Sequence, residues 1–315
     1  MPAYLEELTV RLAAGAGLLP DDVRSSHIDY FLSLQQPDGG FAGREGGSDL
    51  YYTGFGLRAL AILGELYGET AERCAAFLRG KLTGRESVID LLSLIYGAAL
   101  VEAAGGIDVF ADLQHDWRTS ISDFLETLRR EDGGYAKGNE GSVSSTYHTF
   151  LVLLCRELIE RPTPNPEAIV DFIRQRRRPD GGFLEIRVGK RAGANPTAAA
   201  IGVLRMLDRI DEDIREDTLD FLCDMQTDEG GFRANSRIPF ADLLSTFTVI
   251  ATLHDLGGLD EVELPEVAKY VDAMALPNGG FRAAALDESH DVEYGFYGIG
   301  ARALLTLAQT PDEEE

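Results

Sequence analysis

Two kinds of helical segment alternate along the chain. The first kind, of which residues 22–36 are an example, places apolar side chains such as Ile28 and Phe31 on one face only. The second kind, such as residues 50–66, is apolar on nearly every side and has small residues between its large ones. A helix with one apolar face lies at the periphery of a protein, whereas a helix that is apolar all round is buried. The pattern therefore predicts alternating outer and inner helices.

The same alternation predicts six outer–inner pairs in one domain, 1–315. The pairs are 22–36 with 50–66, 69–82 with 88–104, 116–130 with 144–160, 166–177 with 196–209, 214–226 with 242–256, and 262–275 with 291–308. A further helix is predicted within residues 1–20, and residues 309–315 form an acidic tail. No stretch shows the alternation of a strand.

A short motif recurs where each outer segment meets its inner partner. Its copies are Gln36-Pro-Asp-Gly-Gly-Phe41, Arg130-Glu-Asp-Gly-Gly-Tyr135, Arg178-Pro-Asp-Gly-Gly-Phe183, Gln226-Thr-Asp-Glu-Gly-Gly-Phe232 and Leu276-Pro-Asn-Gly-Gly-Phe281. The second glycines are 94, 48, 49 and 49 residues apart. The double first step predicts a degenerate sixth copy at residues 82–87. Repeats of this length define an architecture of stacked helical hairpins.

Six hairpins of even pitch favour an all-α fold that closes into an (α/α)6 barrel, also called a toroid. The Asp-Gly-Gly-Phe motif serves as the turn, because glycine adopts the positive φ that other residues resist. An open superhelix of hairpins is the structural alternative.

Composition narrows the function classes. The net charge of −24 argues against nucleic acid or an anionic membrane as a partner. No run of 18 apolar residues and no signal peptide are visible, so neither a membrane span nor export is expected. Three widely spaced cysteines are interpreted as buried free thiols of a cytoplasmic protein.

Helix-capping residue types mark the starts of the inner segments. Asp49, Ser87, Ser145, Asp242 and Asp291 occupy equivalent positions, and capping is the simplest interpretation of each. If all inner helices run the same way, their N-termini open on one mouth. Their free N–H groups and dipoles would favour an anionic ligand there.

Two loops at this predicted mouth are basic in an otherwise acidic chain. Loop 183–194 carries three cations against Glu185, and loop 232–241 carries two cations and no acid, so each has a net charge of +2. The cations are Arg187, Lys190, Arg191, Arg233 and Arg237. They are predicted to bind a phosphate or diphosphate, with a solvated or salt-bridged surface as the alternative.

Aromatic residues are frequent on the inner segments, and helical spacing makes many of them ordinary core. Together they could line an apolar axial cavity, because a ring of six helices is too wide for side chains to fill. The predicted pocket residues are Tyr52, Tyr147, Phe247, Phe296 and Tyr297. An apolar cavity beneath an anion-binding mouth suits an isoprenoid diphosphate.

These residues resemble a known family. The Asp-Gly-Gly-Phe turn, followed by an inner helix such as residues 52–60, is similar to the prenyltransferase and squalene-cyclase repeat. The strongest likeness is to the β subunits of protein farnesyl- and geranylgeranyltransferases, notably the Rab-type, and residues 291–305 look like their last inner helix. The resemblance covers about residues 22–308. It implies an isoprenoid diphosphate substrate, a helical α-type subunit as partner, and zinc as cofactor.

The zinc ligands implied by the resemblance are only partly present. The family's Asp, Cys and His positions correspond to Asp242, Leu244 and Tyr294, so two of the three ligands are missing. His290, with Asp242 and Glu293, could rebuild a site with more oxygen ligands. His148 is expected to face the cavity as a hydrogen-bonding group. Asp242, His290, Tyr294 and His148 are therefore the candidate catalytic residues, and the cofactor is zinc or none.

Three functions are left open. The leading hypothesis is a prenyltransferase-like enzyme that transfers a prenyl group to a protein cysteine or a small-molecule acceptor. The second is a non-catalytic toroid that binds an apolar ligand or a protein. The third is a metal-independent terpene cyclase or lyase with Asp90 or His148 as base. Proton-initiated cyclisation is disfavoured, because the Asp-x-Asp-Asp motif of that branch does not occur.

Overall fold

The helices form as the alternation predicts. The computed structural model describes residues 3–83, 86–113, 116–138 and 143–310. The helices are α1 (Tyr4–Gly17), α2 (Asp21–Leu34), α3 (Leu50–Ile62), α4 (Gly68–Arg79), α5 (Val88–Gly105), α6 (Trp117–Thr127), α7 (Thr146–Leu158), α8 (Pro166–Arg174), α9 (Ala194–Met206), α10 (Glu212–Cys223), α11 (Leu243–Leu256), α12 (Leu264–Met274) and α13 (Val292–Gln309). The six predicted pairs are α2–α3 through α12–α13. Most of the predicted acidic tail lies outside the described residues.

The six inner helices close into a ring. Helices α3, α5, α7, α9, α11 and α13 each pack against the next, and α13 packs against α3. The outer helices flank this ring, for example α4 against α5 and α12 against α13. The predicted (α/α)6 barrel is therefore confirmed, and the open superhelix is wrong because its ends would not meet.

Helix α1 covers one end of the ring. It packs against α13, α3 and α7. Arg11 on α1 pairs with Asp255, whose carboxylate also pairs with Arg205, both at 2.8 Å. The Tyr4 N–H donates to Glu157. Since Asp255, Arg205 and Glu157 lie at the C-terminal ends of inner helices, α1 closes the end opposite the helix N-termini.

The glycine turns join consecutive hairpins. A methyl group on the first glycine of a turn would overlap a backbone carbonyl of the next outer helix, as Gly181 would with Asp217. A methyl on the second glycine would overlap an aromatic ring of that helix. The ring contacts are Gly40 with Phe77, Gly134 with Phe172, Gly182 with Phe221, Gly231 with Tyr270, and Gly280 with Tyr30. The motif recurs because only glycine allows this approach.

The aromatic residue of each turn is anchored inside the ring. Phe41, Tyr135, Phe183, Phe232 and Phe281 are all fully buried. Four of their N–H groups donate to a buried threonine on the inner helix, for example Phe232 to Thr246 at 3.0 Å. A buried N–H needs such a partner, so the threonine belongs to the motif.

Short strands appear where none was predicted. Three antiparallel ribbons flank the turns: β1 (Phe41–Ala42) with β2 (Ser48–Asp49), β3 (Tyr135–Ala136) with β4 (Ser144–Ser145), and β5 (Arg282–Ala284) with β6 (Asp287–His290). The outer helices also end one to three residues before their predicted ends. Residues after those helices, such as Gln35, bridge to the turn aromatic instead.

A cavity lies beside the predicted degenerate second turn, in which residues 84–85 lie outside the described part of the chain. The space has a volume of about 220 Å³ and adjoins α6, and it is lined by side chains that include Leu82, Leu91, Trp117 and Phe124.

Helix α5 has the length and apolar composition of a membrane span, alone among the described helices. It contains Asp90 and Glu102, and 61% of it is buried within the ring. Its composition is that of a core helix. Cys74 and Cys155 are buried and Cys223 is partly exposed, and all three are free thiols.

Candidate functional site

The predicted capping residues all cap inner helices. The side chains of Asp49, Ser87, Ser145, Asp242 and Asp291 each accept the N–H of the residue three positions later. Helix α9 follows Gly193 and has no side-chain cap. These contacts change the expected electrostatics of the mouth. Three of the caps are carboxylates, so they occupy N–H donors and offset the helix dipoles that an anion would use.

An axial cavity of about 450 Å³ lies inside the ring. All six inner helices and α1 contribute to its wall, and most of the lining is apolar. Its aromatic side chains are Tyr4, Tyr51, Phe55, Tyr147, Phe150, Phe247 and Tyr297. The volume falls within the ~300–1,000 Å³ range of sites for small organic molecules.

Three of the five predicted pocket residues line this cavity: Tyr147, Phe247 and Tyr297. Phe296 lines a smaller space of about 100 Å³ that shares Phe247 and Tyr297 with it. Tyr52 does not line it, because its ring packs against Gly43 outside the cavity. Its neighbour Tyr51 takes that place, since adjacent residues on a helix point about 100° apart.

Two carboxylates lie near the mouth of the cavity. Glu293 accepts a hydrogen bond of 2.7 Å from the Tyr51 hydroxyl. Burial raises the pKa of Glu293, although that hydrogen bond opposes the shift. Burial also raises the pKa of Glu185, against hydrogen bonds from Ser145 and the Tyr147 N–H. Neither residue was predicted to line the cavity, and the mouth is more acidic than the loop charges suggested.

Arg58 brings a positive charge to the inner part of the cavity. It lies on α3 and borders both the main cavity and the smaller space. Its guanidinium lies 4.8 Å from the ring centre of Phe55 and 5.3 Å from that of Tyr96. Its position seven residues after Tyr51, on one helical face, was the only sequence signal for it.

The predicted diphosphate ligands lie outside the cavity wall. Arg187, Lys190, Arg191 and Arg237 are exposed, and Arg233 is half-buried. Arg233 donates to the carbonyl oxygen of Asp224 at 2.9 Å. None of the five lines the cavity, so their role as diphosphate ligands stays a prediction.

The residues at the implied zinc positions lie near one another but do not suit zinc. Both carboxylate oxygens of Asp242 accept hydrogen bonds from Ser245, at 2.7 and 2.8 Å. Leu244 has no donor atom and lines the cavity. Burial, with the charges of Glu293 and Asp242, raises the pKa of Tyr294 to about 12. A zinc site needs ionised or neutral-nitrogen donors, and this set offers one carboxylate that is already engaged.

The predicted histidines lie apart from this set. His290 is exposed on β6, and its ring centre lies 6.3 Å from that of Tyr30 on the outer helix α2. The described residues contain no group of three His, Cys, Asp or Glu side chains that could hold a metal. The structure thus does not assemble His290, Asp242 and Glu293 into a metal site.

His148 and Asp90 sit at helix starts. The His148 ring lies 2.6 Å from the Ser145 hydroxyl, and burial lowers its pKa. The Asp90 carboxylate accepts the Ser87 hydroxyl at 2.8 Å. Neither side chain lines the cavity. The structure therefore does not place His148 at the cavity wall, where the sequence led us to expect it.

The turns, the closed ring and the axial cavity all match one family. The sequence matches the prenyltransferase alpha-alpha toroid domain over residues 12–83, 100–211 and 197–314. The chain belongs to this prenyltransferase toroid family. Its sequence relatives include the β subunit of protein farnesyltransferase from Schizosaccharomyces pombe, with 32% identity over 149 residues. That match spans 44% of the chain and only 37% of the relative's length.

Solved structures share the whole toroid. A protein geranylgeranyltransferase-I from Candida albicans, complexed with GGPP, superposes with a TM-score of 0.71 at 15% identity, covering 90% of this chain and 91% of the other. A type II terpene cyclase from Scytonema gives a TM-score of 0.65 at 15% identity, with 95% and 98% covered. At such identities the similarity establishes the fold alone, and the same fold carries different reactions.

Proposed function

We propose that the protein binds an isoprenoid diphosphate in the axial cavity and transfers its prenyl group to an acceptor. The observation that supports this most directly is the cavity itself. It is closed at one end by α1, is walled by aromatic and aliphatic side chains, and opens at the inner-helix N-termini. A long hydrocarbon chain would bind in such a site favourably, because burial contributes about 25 cal/mol of binding free energy for each Å² of apolar surface removed from water.

The lining suits the charge that develops during prenyl transfer. The C–O bond between the prenyl carbon and the diphosphate breaks, and its electron pair leaves with the diphosphate. The faces of Tyr51, Phe55 and Phe247 can stabilise the prenyl cation that remains. The acceptor then forms the new bond to this carbon and releases a proton. Glu185 and Glu293 are the carboxylates of the cavity wall that can accept it.

The acceptor is a protein cysteine or a small molecule that enters at the mouth. Large apolar side chains are exposed on loops or helix starts around this mouth: Val143, Tyr147, Val188, Phe240 and Leu286. Exposed apolar patches favour contact with a protein partner. If the acceptor is a protein, this rim is the surface for an α-type subunit like the partner of the related β subunits.

A non-catalytic isoprenoid carrier is the second candidate. The poor fit of Asp242, Leu244 and Tyr294 to zinc favours it, because zinc would activate a thiol acceptor. A carrier needs the cavity and no acceptor chemistry.

Calorimetric titration with farnesyl and geranylgeranyl diphosphate tests the proposal. The expected dissociation constant is about 1 μM to 1 mM, the usual range for enzyme substrates. Release of inorganic diphosphate, followed with candidate thiol and aromatic acceptors, separates the two candidates. Binding with release supports transfer, and binding without release with any acceptor supports the carrier. No binding at millimolar ligand would contradict both.

A further inference from the structure

A second, smaller space lies next to the axial cavity. Its volume is about 100 Å³, compared with about 450 Å³ for the cavity. Five side chains line both spaces and form the partition between them: Leu5, Leu8, Arg58, Phe247 and Tyr297. Two of the five, Leu5 and Leu8, belong to α1. Helix α1 therefore closes the end of the ring and also divides its interior.

The smaller space lies further from the mouth than the cavity does. On α3, which begins at the mouth, the cavity extends from Tyr51 to Arg58, and the smaller space extends from Arg58 to Ile62. On α5, Ser93 lines the cavity and Tyr96 lines the smaller space. At about 1.5 Å per residue, the step from Arg58 to Ile62 adds roughly 6 Å of depth. One isoprene unit has four bonds in line and spans roughly 5 Å, since the three bonds of an extended residue span about 3.6 Å. The smaller space thus has the depth of one further isoprene unit.

Contacts at both ends of α1 fix it as the floor of the cavity. Near the end of α1, its backbone packs directly on α13, because a methyl group on Gly15 would overlap the Ala303 carbonyl oxygen. At the start of α1, the Tyr4 N–H donates to Glu157 at 3.0 Å. These contacts hold Leu8 at a constant depth, so a ligand cannot push the partition aside without breaking them.

The partition residues of α1 lie outside the part of the chain that matches the toroid family. The match begins at residue 12, and both Leu5 and Leu8 precede it. They lie three residues apart and therefore point to the same side of the helix. Leu5 is buried in the core, whereas Leu8 keeps part of its surface exposed and so presents the larger face to a ligand. The floor of the cavity can therefore differ between related toroids while the ring of hairpins stays the same.

We propose that Leu8 of α1 sets the upper limit on the length of the prenyl chain. With its diphosphate at the mouth, the chain extends toward α1, and its last unit stops against the partition. The ligand class is a prenyl diphosphate whose chain fills the cavity but not the smaller space. This inference rests on the proposed function, and it assigns the selection between shorter and longer prenyl chains to α1.

Calorimetric titration of the full chain with a series of diphosphates tests this assignment. The ligands are geranyl, farnesyl, geranylgeranyl and geranylfarnesyl diphosphate, each one isoprene unit longer than the last. Each added unit that the cavity buries should tighten binding at least about tenfold, because the burial of about two methylene groups suffices for this gain. The gain should stop before the longest ligand, and the last chain length that still gains affinity is the limit of the native protein.

Variants of α1 show whether Leu8 sets that limit. Leu8→Ala removes most of the side chain from the partition and should raise the limit by one unit, so that the next longer ligand binds this variant at least about tenfold more tightly than the native chain. Leu8→Phe enlarges the side chain and should lower the limit by one unit. Val10→Ala, at an exposed position of the same helix, should keep the native limit. Melting temperatures check that each variant folds, and if Leu8→Ala does not fold, Leu8→Phe decides.

Three results would overturn the assignment. The native affinity could rise through the longest ligand, which would mean that α1 sets no limit in this range. The Leu8 variants could keep the native limit or weaken the binding of all four ligands equally, which would show that Leu8 only packs the wall. Val10→Ala could shift the limit as Leu8→Ala does, which would show that the shift comes from a loosened α1. In each of these cases the proposed isoprenoid site stands, whereas failure of the native chain to bind any of the four ligands would remove the proposed function as well.

Discussion

At the scale of single residues, Asp242 has a structural role, although the family resemblance implies a metal ligand at its position. Its carboxylate caps α11 through both oxygens, and burial raises its pKa against those hydrogen bonds. The same contacts suffice to explain why an acid stands there. Its neighbours Leu244 and Tyr294 supply no suitable second ligand.

Substitution of Asp242 should separate capping from metal binding. Asp242→Ala should lower the free energy of unfolding by about 0.5–2 kcal/mol, and Asp242→Asn should change it little, since asparagine caps as well as aspartate. Neither change should weaken prenyl-ligand binding more than about threefold, because Asp242 does not line the cavity. Chemical denaturation and calorimetry measure the two effects. Lost ligand binding in a stable Asp242→Asn protein would show that the carboxylate acts on the ligand or on a metal.

The sequence predicted the residue types of the site better than their directions. Tyr147, Phe247 and Tyr297 line the cavity as predicted, but Tyr51 replaces Tyr52. When a helix is apolar on every side, its sequence pattern does not show which side faces the cavity. The position of Arg58 at the cavity wall was not predicted either, because a lone arginine on a helix is usually solvated.

At the scale of elements, the glycine turns are the joints between hairpins. Each turn carries one glycine against the next outer helix's backbone and one against its aromatic ring. The sequence predicted the turns and their spacing. It could not predict which element they contact, because that contact is to a segment about 35 residues away, as Gly181 is to Asp217.

Two matched glycine substitutions should measure how much this contact contributes to the free energy of unfolding. Gly181 and Gly64 have φ of +83° and +79°, but only Gly181 abuts another element. Gly64→Ala should cost about 1 kcal/mol, the usual penalty for alanine at positive φ. Gly181→Ala should cost a further ~1–3 kcal/mol, because its methyl overlaps the Asp217 carbonyl. Chemical denaturation compares the two, and equal costs would contradict the joint.

The short ribbons and early helix ends have the same origin. Residues that continue the helical pattern, such as Gln35, leave the helix and bridge to the turn aromatic. Helical periodicity alone placed them in the helix. The bridge to the turn aromatic outweighs the helical preference of these residues, which is weak at helix ends.

At the scale of the whole molecule, the last hairpin meets the first. The Gly280 N–H donates to His27 Nδ1 at 3.0 Å, and the His27 ring stacks on Phe281 at 4.8 Å. The Tyr30 hydroxyl donates to the carbonyl oxygen of Asp291. We call these contacts between α2 and the last turn the seam. The same glycine joint that links neighbouring hairpins therefore also closes the ring.

Acid should weaken the seam. Burial, with a smaller effect of Arg302, lowers the pKa of His27 from 6.5 to about 4. The unfolded chain binds this proton more readily, so the contribution of His27 is complete above pH 6.5 and is lost as the pH falls toward 4. The loss should reach about 3 kcal/mol, at 1.36 kcal/mol per pH unit.

The variant His27→Gln lacks the titrating imidazole, so it should not show this loss of stability. The free energy of unfolding of the native chain should fall more steeply than that of the variant between pH 6.5 and 4, as measured by urea denaturation. His290→Gln, at an exposed position, should behave like the native chain. Parallel pH profiles for all three proteins would mean that His27 does not titrate with unfolding.

The closed ring and its apolar axial cavity were predictable from the whole chain, whereas the position of α1 and the charge of the mouth were not. Six evenly spaced hairpins predicted closure, which the packing of α13 on α3 confirms. The position of α1 across one end was not predicted, because its pairing with Asp255 joins residues 244 apart in sequence. The charge of the mouth also differs from the prediction, because capping carboxylates and Glu185 lie there while the five basic side chains of loops 183–194 and 232–241 do not line the cavity.

The central claim is that an isoprenoid occupies the axial cavity, and a cavity-filling substitution tests it most directly. Ala251 lines the cavity on α11, whereas Ala103 is exposed on α5. Calorimetry should show that Ala251→Phe weakens the binding of geranylgeranyl diphosphate at least about tenfold, while Ala103→Phe binds it as the native chain does. Both variants should melt as cooperatively as the native chain. Unchanged binding in a folded Ala251→Phe protein would place the ligand elsewhere and contradict the account.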